Sequence, residues 1–242
     1  MSGLHRSGQD GPLLTLFIYM DGLTSVLSRG RKIVAREEVS FASINSGQEE
    51  IQSALERFYT ESPSVHPDEL RSIDLIFVNS IFHRTSSGQL ESYKNRLPAF
   101  LLYHKSYFDV DIRHRHLAQL MYSGLENGFE EKPGPMLWFH LRHYILYVGF
   151  CTSGGEISIS SFKVQKTLDV YYYILFNYQT LQTALPGLDR IVISGELVDL
   201  DKIHNFFEEN VPGPELITYW QWKSIPGKPR VDIQAYLPEV EM

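Results

Sequence analysis

Three groups of side chains in this sequence have the types and spacing to do chemistry. His114 and His116 alternate with Arg113 and Arg115, and His140 and His143 flank Arg142. A histidine pair two residues apart on a strand shares one face, which is half of a metal site or a cationic rim for phosphate. Neither set has an identifiable acid or cysteine partner, so partly exposed structural histidines are expected and no metal site. The single cysteine, Cys151, follows the apolar Val148 to Phe150, which favours a buried, inert thiol over a nucleophile activated by histidine. The third group is aromatic. Tyr219, Trp220 and Trp222 stand together near the C-terminus beside the Pro226-Gly227 turn; large aromatics at a strand edge anchor a protein partner or cover the edge of their own sheet. They are the partner-binding candidates, whereas Tyr171, Tyr172, Tyr173, Phe176 and Tyr178 are expected to be core.

Composition narrows the classes. With 242 residues, 43% hydrophobic and 21% charged, the chain can bury one large core or two small ones. A net charge of −7 argues against nucleic acid as partner, because backbone affinity comes from Lys and Arg displacing counterions. One cysteine cannot close an internal disulfide, residues 1–11 form a polar tail without the apolar centre of a signal peptide, and the longest apolar run is far short of a membrane span. A cytoplasmic protein without a membrane segment is expected.

The elements that must position these groups are clearest over residues 156–195. Ile157, Ile159 and Ser161 alternate with Ser158, Ser160 and Phe162, and this period of two gives way to Tyr171, Ile174, Leu175, Tyr178 and Leu181 at helical spacing. Thr167 is the expected N-cap, with Asp169 in the first turn where the helix dipole favours an anion. After Pro186-Gly187, the run Ile191, Val192, Ile193 closed by Ser194-Gly195 reads as a buried strand. Residues 13–41 give three extended runs, turned at Asp21-Gly22, which is expected to fill the centre of a type I′ hairpin, and at Gly30. In the third run Ile33, Ala35, Val39 and Phe41 form the buried face, with Glu37 the misfit. A capping box from Ser46 to Glu49 opens a helix with the stripe Ile51, Ala54, Leu55, Phe58, Tyr59. Residues 74–78 form a central strand, 89–105 look helical around Pro98, 107–112 form a further strand, and Leu117, Leu120, Met121 and Leu125 mark a last helix. The best linker is 129–135. Beyond it the order recurs, with strands at 136–141, 144–150, 157–162, 191–194 and 216–220 and helices from Thr167 and Asp199. The expectation is an α/β protein, a tandem duplication of a βββαβα unit: tail 1–11, first subdomain 12–128, linker 129–135, second subdomain 136–242.

This order, with Ser161-Phe162-Lys163 leading into Asp169 to Leu175 and then Val192 to Glu196, resembles a bacterial domain-of-unknown-function family with an actin-like ATPase (ribonuclease H-like) fold, distantly similar to pilus-assembly actin homologues. The resemblance implies two subdomains facing a cleft. Nucleotide would lie between two glycine turns that wrap phosphates, an acid that positions magnesium, and a Gly-Gly turn under the adenosine. On that template Asp21 and Gly22 stand at the first phosphate loop, but adjacent to each other and followed by Leu23 in place of a hydroxyl-bearing residue. Arg142-His143 stand at the second, with neither acid nor glycine, and Gly195 stands at the adenosine turn with Glu196 replacing the second glycine. Asp21, Gly22, Gly195 and Glu196 are therefore the nucleotide candidates, and their departures imply a degenerate site with no cofactor.

A nuclease on the half-unit fold would need an acid on its first strand and another after its fourth. Residues 13–20 and 136–141 contain none, and the fourth strands end in Asn79-Ser80 and Ser194-Gly195, leaving only Glu196 nearby. The expected function is a binding or assembly module, not an enzyme, with a protein partner. The alternative is an ATP-binding actin-like ATPase or sugar-kinase-like enzyme with an altered site.

Overall fold

Leu13–Ile18 (β1) and Ser72–Phe77 (β4) are strands in which side chains pointing either way are buried, as central parallel neighbours require. The computed structural model describes residues 12–29, 32–40, 53, 56, 60, 70, 72–80, 82–84, 90–92, 110–127, 134–198, 200 and 202–218. The capping box at Ser46 and Glu49, the segment around Pro98, linker residues 129–133 and the aromatic candidates Tyr219, Trp220 and Trp222 lie outside them. Ser53, Glu56 and Thr60 are helical and exposed, the polar complement of the stripe expected there. The chain divides into two compact units, Met1–His116 and Leu117–Met242.

In the first unit β1 is flanked on one side by Gly22–Arg29 (β2) and then Lys32–Ser40 (β3), each antiparallel to the strand before it, and on the other by β4 and then Asp111–His116 (β7), each parallel to the strand before it. Phe82–Arg84 (β5) and Leu90–Ser92 (β6) form a separate antiparallel pair. Leu14, Leu16, Ile18, Leu23, Leu27, Ile73, Leu75 and Phe77 make its core. Three expectations change here. The strand read at 107–112 falls on the charged Asp111–His116, because Asp74 is buried in β4 and its ladder partner Arg113 meets it at 2.6 Å. Leu90–Ser92 is strand rather than helix, pairing with β5 overriding local propensity. Gly22 is not a turn residue: Tyr19 N donates to Gly22 O at 2.9 Å, so Met20 and Asp21 are the central pair, and neither they nor Gly22 has a positive φ. Glycine is required at 22 because a Cβ there would sit 2.5 Å from Val39 O of β3.

The second unit repeats the order. Met136–Arg142 (β8) is flanked by antiparallel Ile145–Cys151 (β9) and then Ile157–Lys163 (β10), and by parallel Arg190–Gly195 (β11) and then Glu215–Thr218 (β12). Among the described residues its helices are Leu117–Asn127 (α1), Thr167–Leu181 (α2) and Ile203–Asn210 (α3). Helix α1 packs on β9, where a Cβ on Gly149 would come 2.9 Å from Leu125 Cδ1 and 3.5 Å from Met121 Cε. The pattern alone could not tell which sheet its apolar stripe meets. On the opposite sheet face Leu137, Phe139, Leu141, Leu146, Val148, Ile191 and Ile193 pack with Val170, Ile174 and Tyr178 of α2 and with Ile203 and Phe207 of α3. Thr167 is the first helical residue, not the cap. Lys166 is the N-cap, and the Asp169 carboxylate accepts from the backbone N–H of Gln165 at 2.9 Å and Lys166 at 3.1 Å. The aromatic run of α2 is only partly core: Tyr178 is buried, but Tyr172 and Phe176 are exposed.

Candidate functional site

Alternation along β8 puts Trp138, His140 and Arg142 on the sheet face opposite the α2–α3 core. All three are buried. Their ladder partners fix the neighbourhood: His140 lies beside Tyr147 of β9 and Ser194 of β11, and Leu141 lies beside Gly195. Trp138 Nε1 donates to Ser194 Oγ at 2.7 Å, and Ser194 Oγ and His140 Nδ1 share a hydrogen bond at 2.8 Å. His140 Nε2 has no hydrogen-bond partner among the described residues. Burial first, and the Arg142 guanidinium second, push the His140 pKa down to about 3, so the ring is neutral at physiological pH. A serine bonded to a neutral histidine has the makings of a nucleophile and base. Ser194 is fully buried, however, and no carboxylate among the described residues orients the far nitrogen, so the trio braces β8 against β11. The reading of Ser194 as a strand-closing residue missed this network; the alternation of Trp138, His140 and Arg142 inside an otherwise apolar strand was its only signal.

The hairpin that follows β8 is the place where the fold would offer a second phosphate loop. His143 and Tyr144 have φ of 45° and 60°, a type I′ turn built without Asn or Gly. Arg142 ends the strand and is buried, not at the tip. Gly195 supplies the adjoining corner: its φ is 66°, and a Cβ would overlap Leu141 O and lie 2.6 Å from His140 Cε1. The next residue, Glu196, donates its N–H to Leu141 O at 2.9 Å and folds its side chain over the hairpin, where both carboxylate oxygens accept from the His143 N–H at 3.1 Å. Gly195 and Glu196 are thus brought together with the β8–β9 turn. An amide at the tip of that turn is covered by the chain's own carboxylate.

In the first unit Val78 N donates to Ile18 O at 2.9 Å, the counterpart of Glu196 N to Leu141 O, so Met20-Asp21 corresponds to His143-Tyr144. Asp21 is exposed at that tip. Tyr19 Oη donates to Thr24 Oγ1 at 3.0 Å beneath it. The loop has two residues and no glycine at its centre. The histidine pair on β7 also separates: His114 is exposed, while His116 is buried with Nε2 3.1 Å from Asn79 Oδ1, its pKa lowered to about 4 by burial and only partly restored by a hydrogen bond with the Asn79 backbone. Among the described residues no group of three or more His, Cys, Asp or Glu side chains converges. Cys151 is buried, and burial raises its thiol pKa, so little thiolate forms near neutrality. No helix among the described residues is long and apolar enough to cross a membrane.

No family model matches the chain. No curated protein matches it either. Solved structures do. A protein of Bacteroides thetaiotaomicron VPI-5482, described as having an actin-like ATPase fold and unknown function, superposes with a TM-score of 0.57 at 10% identity, covering 89% of this chain and 94% of that one. The ethanolamine utilization protein EutJ from Carboxydothermus hydrogenoformans reaches 0.50 at 8% identity, covering 85% and 83%. At such identities the likeness concerns the backbone alone, and with the two mixed five-stranded sheets of the same strand order it gives this chain the actin-like ATPase fold of the α/β class.

Proposed function

We propose that this protein is a non-catalytic binding or assembly module on an actin-like scaffold whose nucleotide site is degenerate, acting in a bacterial cytoplasm on a protein partner. The observation that carries the reading is the Glu196 carboxylate seated on the His143 amide. An anion-binding turn works by presenting unsatisfied backbone N–H groups. Here that donor is already paired within the chain, and a phosphate arriving at the turn would meet a carboxylate, adding repulsion where attraction is needed. The first-unit hairpin supports the same reading, since a two-residue Met20-Asp21 turn without positive φ has no concave run of amides.

Titration of the protein with Mg-ATP, followed by thermal unfolding and calorimetry, tests this. No shift in melting temperature and no saturable heat are expected. Saturable stabilisation, of about 2.7 kcal/mol at a hundredfold excess over the dissociation constant, refutes the degenerate site and favours the ATP-binding alternative.

A further inference from the structure

The two sheets have four outer strands, and three of them are guarded against pairing with another chain. β3 carries Arg36, Glu37 and Glu38, with Arg36 and Glu38 joined at 3.0 Å, and the register shift between Leu27 and Ser28 leaves Val34 as an extra residue that distorts the edge. β7 is DIRHRH, charged along most of its length. β12 opens on the exposed charge of Glu215. Short strands, charges and bulges are how sheet edges avoid joining to one another. β10 is seven residues long, has no bulge, and carries its one charge, Lys163, at its very end. From Ser158 to Phe162 it contains no charge and no proline, its pairing with β9 runs through seven positions without a shift, and no described strand lies on its other side.

A second observation falls beside this edge. On α2, Leu168, Tyr172 and Phe176 follow one another at four-residue spacing and are 66%, 60% and 48% exposed, a row of large apolar side chains on the solvent side of the helix. The row is continuous with β10: Phe162 stacks on Tyr173 with ring centroids 4.5 Å apart, Tyr173 meets Tyr172 edge-on at 5.2 Å, and Tyr172 stacks on Phe176 at 6.2 Å. No Asp, Glu, Lys or Arg occurs between Val170 and Leu188.

We propose that β10 and the exposed row of α2 form an isologous interface through which a second copy of this chain pairs antiparallel, edge to edge, across a twofold axis. Self-pairing accounts for both features together. A foreign extended peptide would satisfy the strand edge but leave the helix row in water, whereas a second copy brings its own α2 alongside, and ridges four residues apart pack into their like. The charges agree with it. The strand is bounded by exposed Glu156 at its start and exposed Lys163 at its end, and antiparallel pairing sets the Lys163 end of each copy at the Glu156 end of the other. The uncharged helix row meets itself without like-charge repulsion. This interface does not depend on whether the Glu196 corner binds nucleotide.

Light scattering coupled to size exclusion, with sedimentation velocity over a concentration series reaching about 100 µM, tests it on the full chain. The wild type is expected at twice its 27.9 kDa chain mass. Ser160→Lys places an ammonium on the bare edge near the twofold axis, and Tyr172→Glu puts a carboxylate in the helix row; each is expected to weaken dimerisation by at least about tenfold with an unchanged circular dichroism spectrum. Val34→Lys, on the guarded β3 edge, is expected to leave the dimer intact. A wild type that stays at the chain mass throughout, or a dimer that tolerates both Ser160→Lys and Tyr172→Glu while folded, overturns the proposal.

Discussion

Gly195→Ala is the substitution for which the structure gives the most definite energy. The residue occupies φ of 66°, where an L side chain costs about 1–2 kcal/mol. The new methyl would also overlap Leu141 O and lie 2.6 Å from His140 Cε1 and 3.0 Å from Nδ1. Two of those three atoms belong to a ring held by Ser194 and the third is backbone, so relief must come from parting β8 from β11, at about 1–3 kcal/mol for an overpacked contact. The Glu196 N–H to Leu141 O bond would stretch as the carbonyl moved, losing about 0.5–1.5 kcal/mol more. The sum is about 2.5–6.5 kcal/mol, or a fall in melting temperature of about 5–26 °C for a chain of this size. Gly187→Ala is the internal control: its φ is 80°, but an added Cβ would have nothing within 4 Å, so only the backbone cost of about 1–2 kcal/mol applies. Urea unfolding of both variants, read by calorimetry and by amide exchange along β8 and β11, separates the two costs. Equal losses for the two glycines would refute the claim that close approach at Leu141 and His140 is what requires glycine at 195.

Glu196→Ala is expected to cost about 1–2 kcal/mol by leaving the His143 amide without its carboxylate, and Glu196→Gln about half of that, since the amide side chain keeps an acceptor but not the charge; equal stability of all three proteins in urea would contradict the geometry. Acid should weaken both units. His140 and His116 have folded-state pKa values of about 3 and about 4 against the ordinary 6.5, so between those limits the unfolded chain binds protons that the folded one refuses. Stability contributed by each ring's neutrality is therefore present above about pH 6.5 and lost as pH falls, by up to about 1.4 kcal/mol per pH unit and histidine. His140→Asn, which retains a polar group beside Ser194, should flatten that slope for the second unit, and an unchanged slope would show that His140 is not the group responsible.

The sequence determined whatever depends on near neighbours. Alternation and helical spacing located β1, β4, β8, β9, β10, β11 and α2 within a residue or two, because the periods of strand and helix are local and each of these segments has one apolar face or is apolar throughout. The repeated strand order, and with it the fold class, followed from those placements and from the resemblance they supported. At the candidate site the sequence marked Asp21, Gly22, Gly195 and Glu196 by type. What each residue does there was decided by chain segments far away. Gly22 is glycine because β3 passes over it, and Gly195 because the end of β8 does. Glu196 reads locally as a replaced glycine, and only the folded corner makes it the acceptor for an amide 53 residues earlier. His140 reads as a candidate ligand, and burial beside Arg142 makes it a neutral brace. The packing of α1 on the second sheet and the place of β10 at the end of the described strand order are likewise tertiary facts. A periodic pattern states that a face is apolar or that an edge lacks charges, but not which surface meets it, because that contact is fixed by strand order across the whole chain.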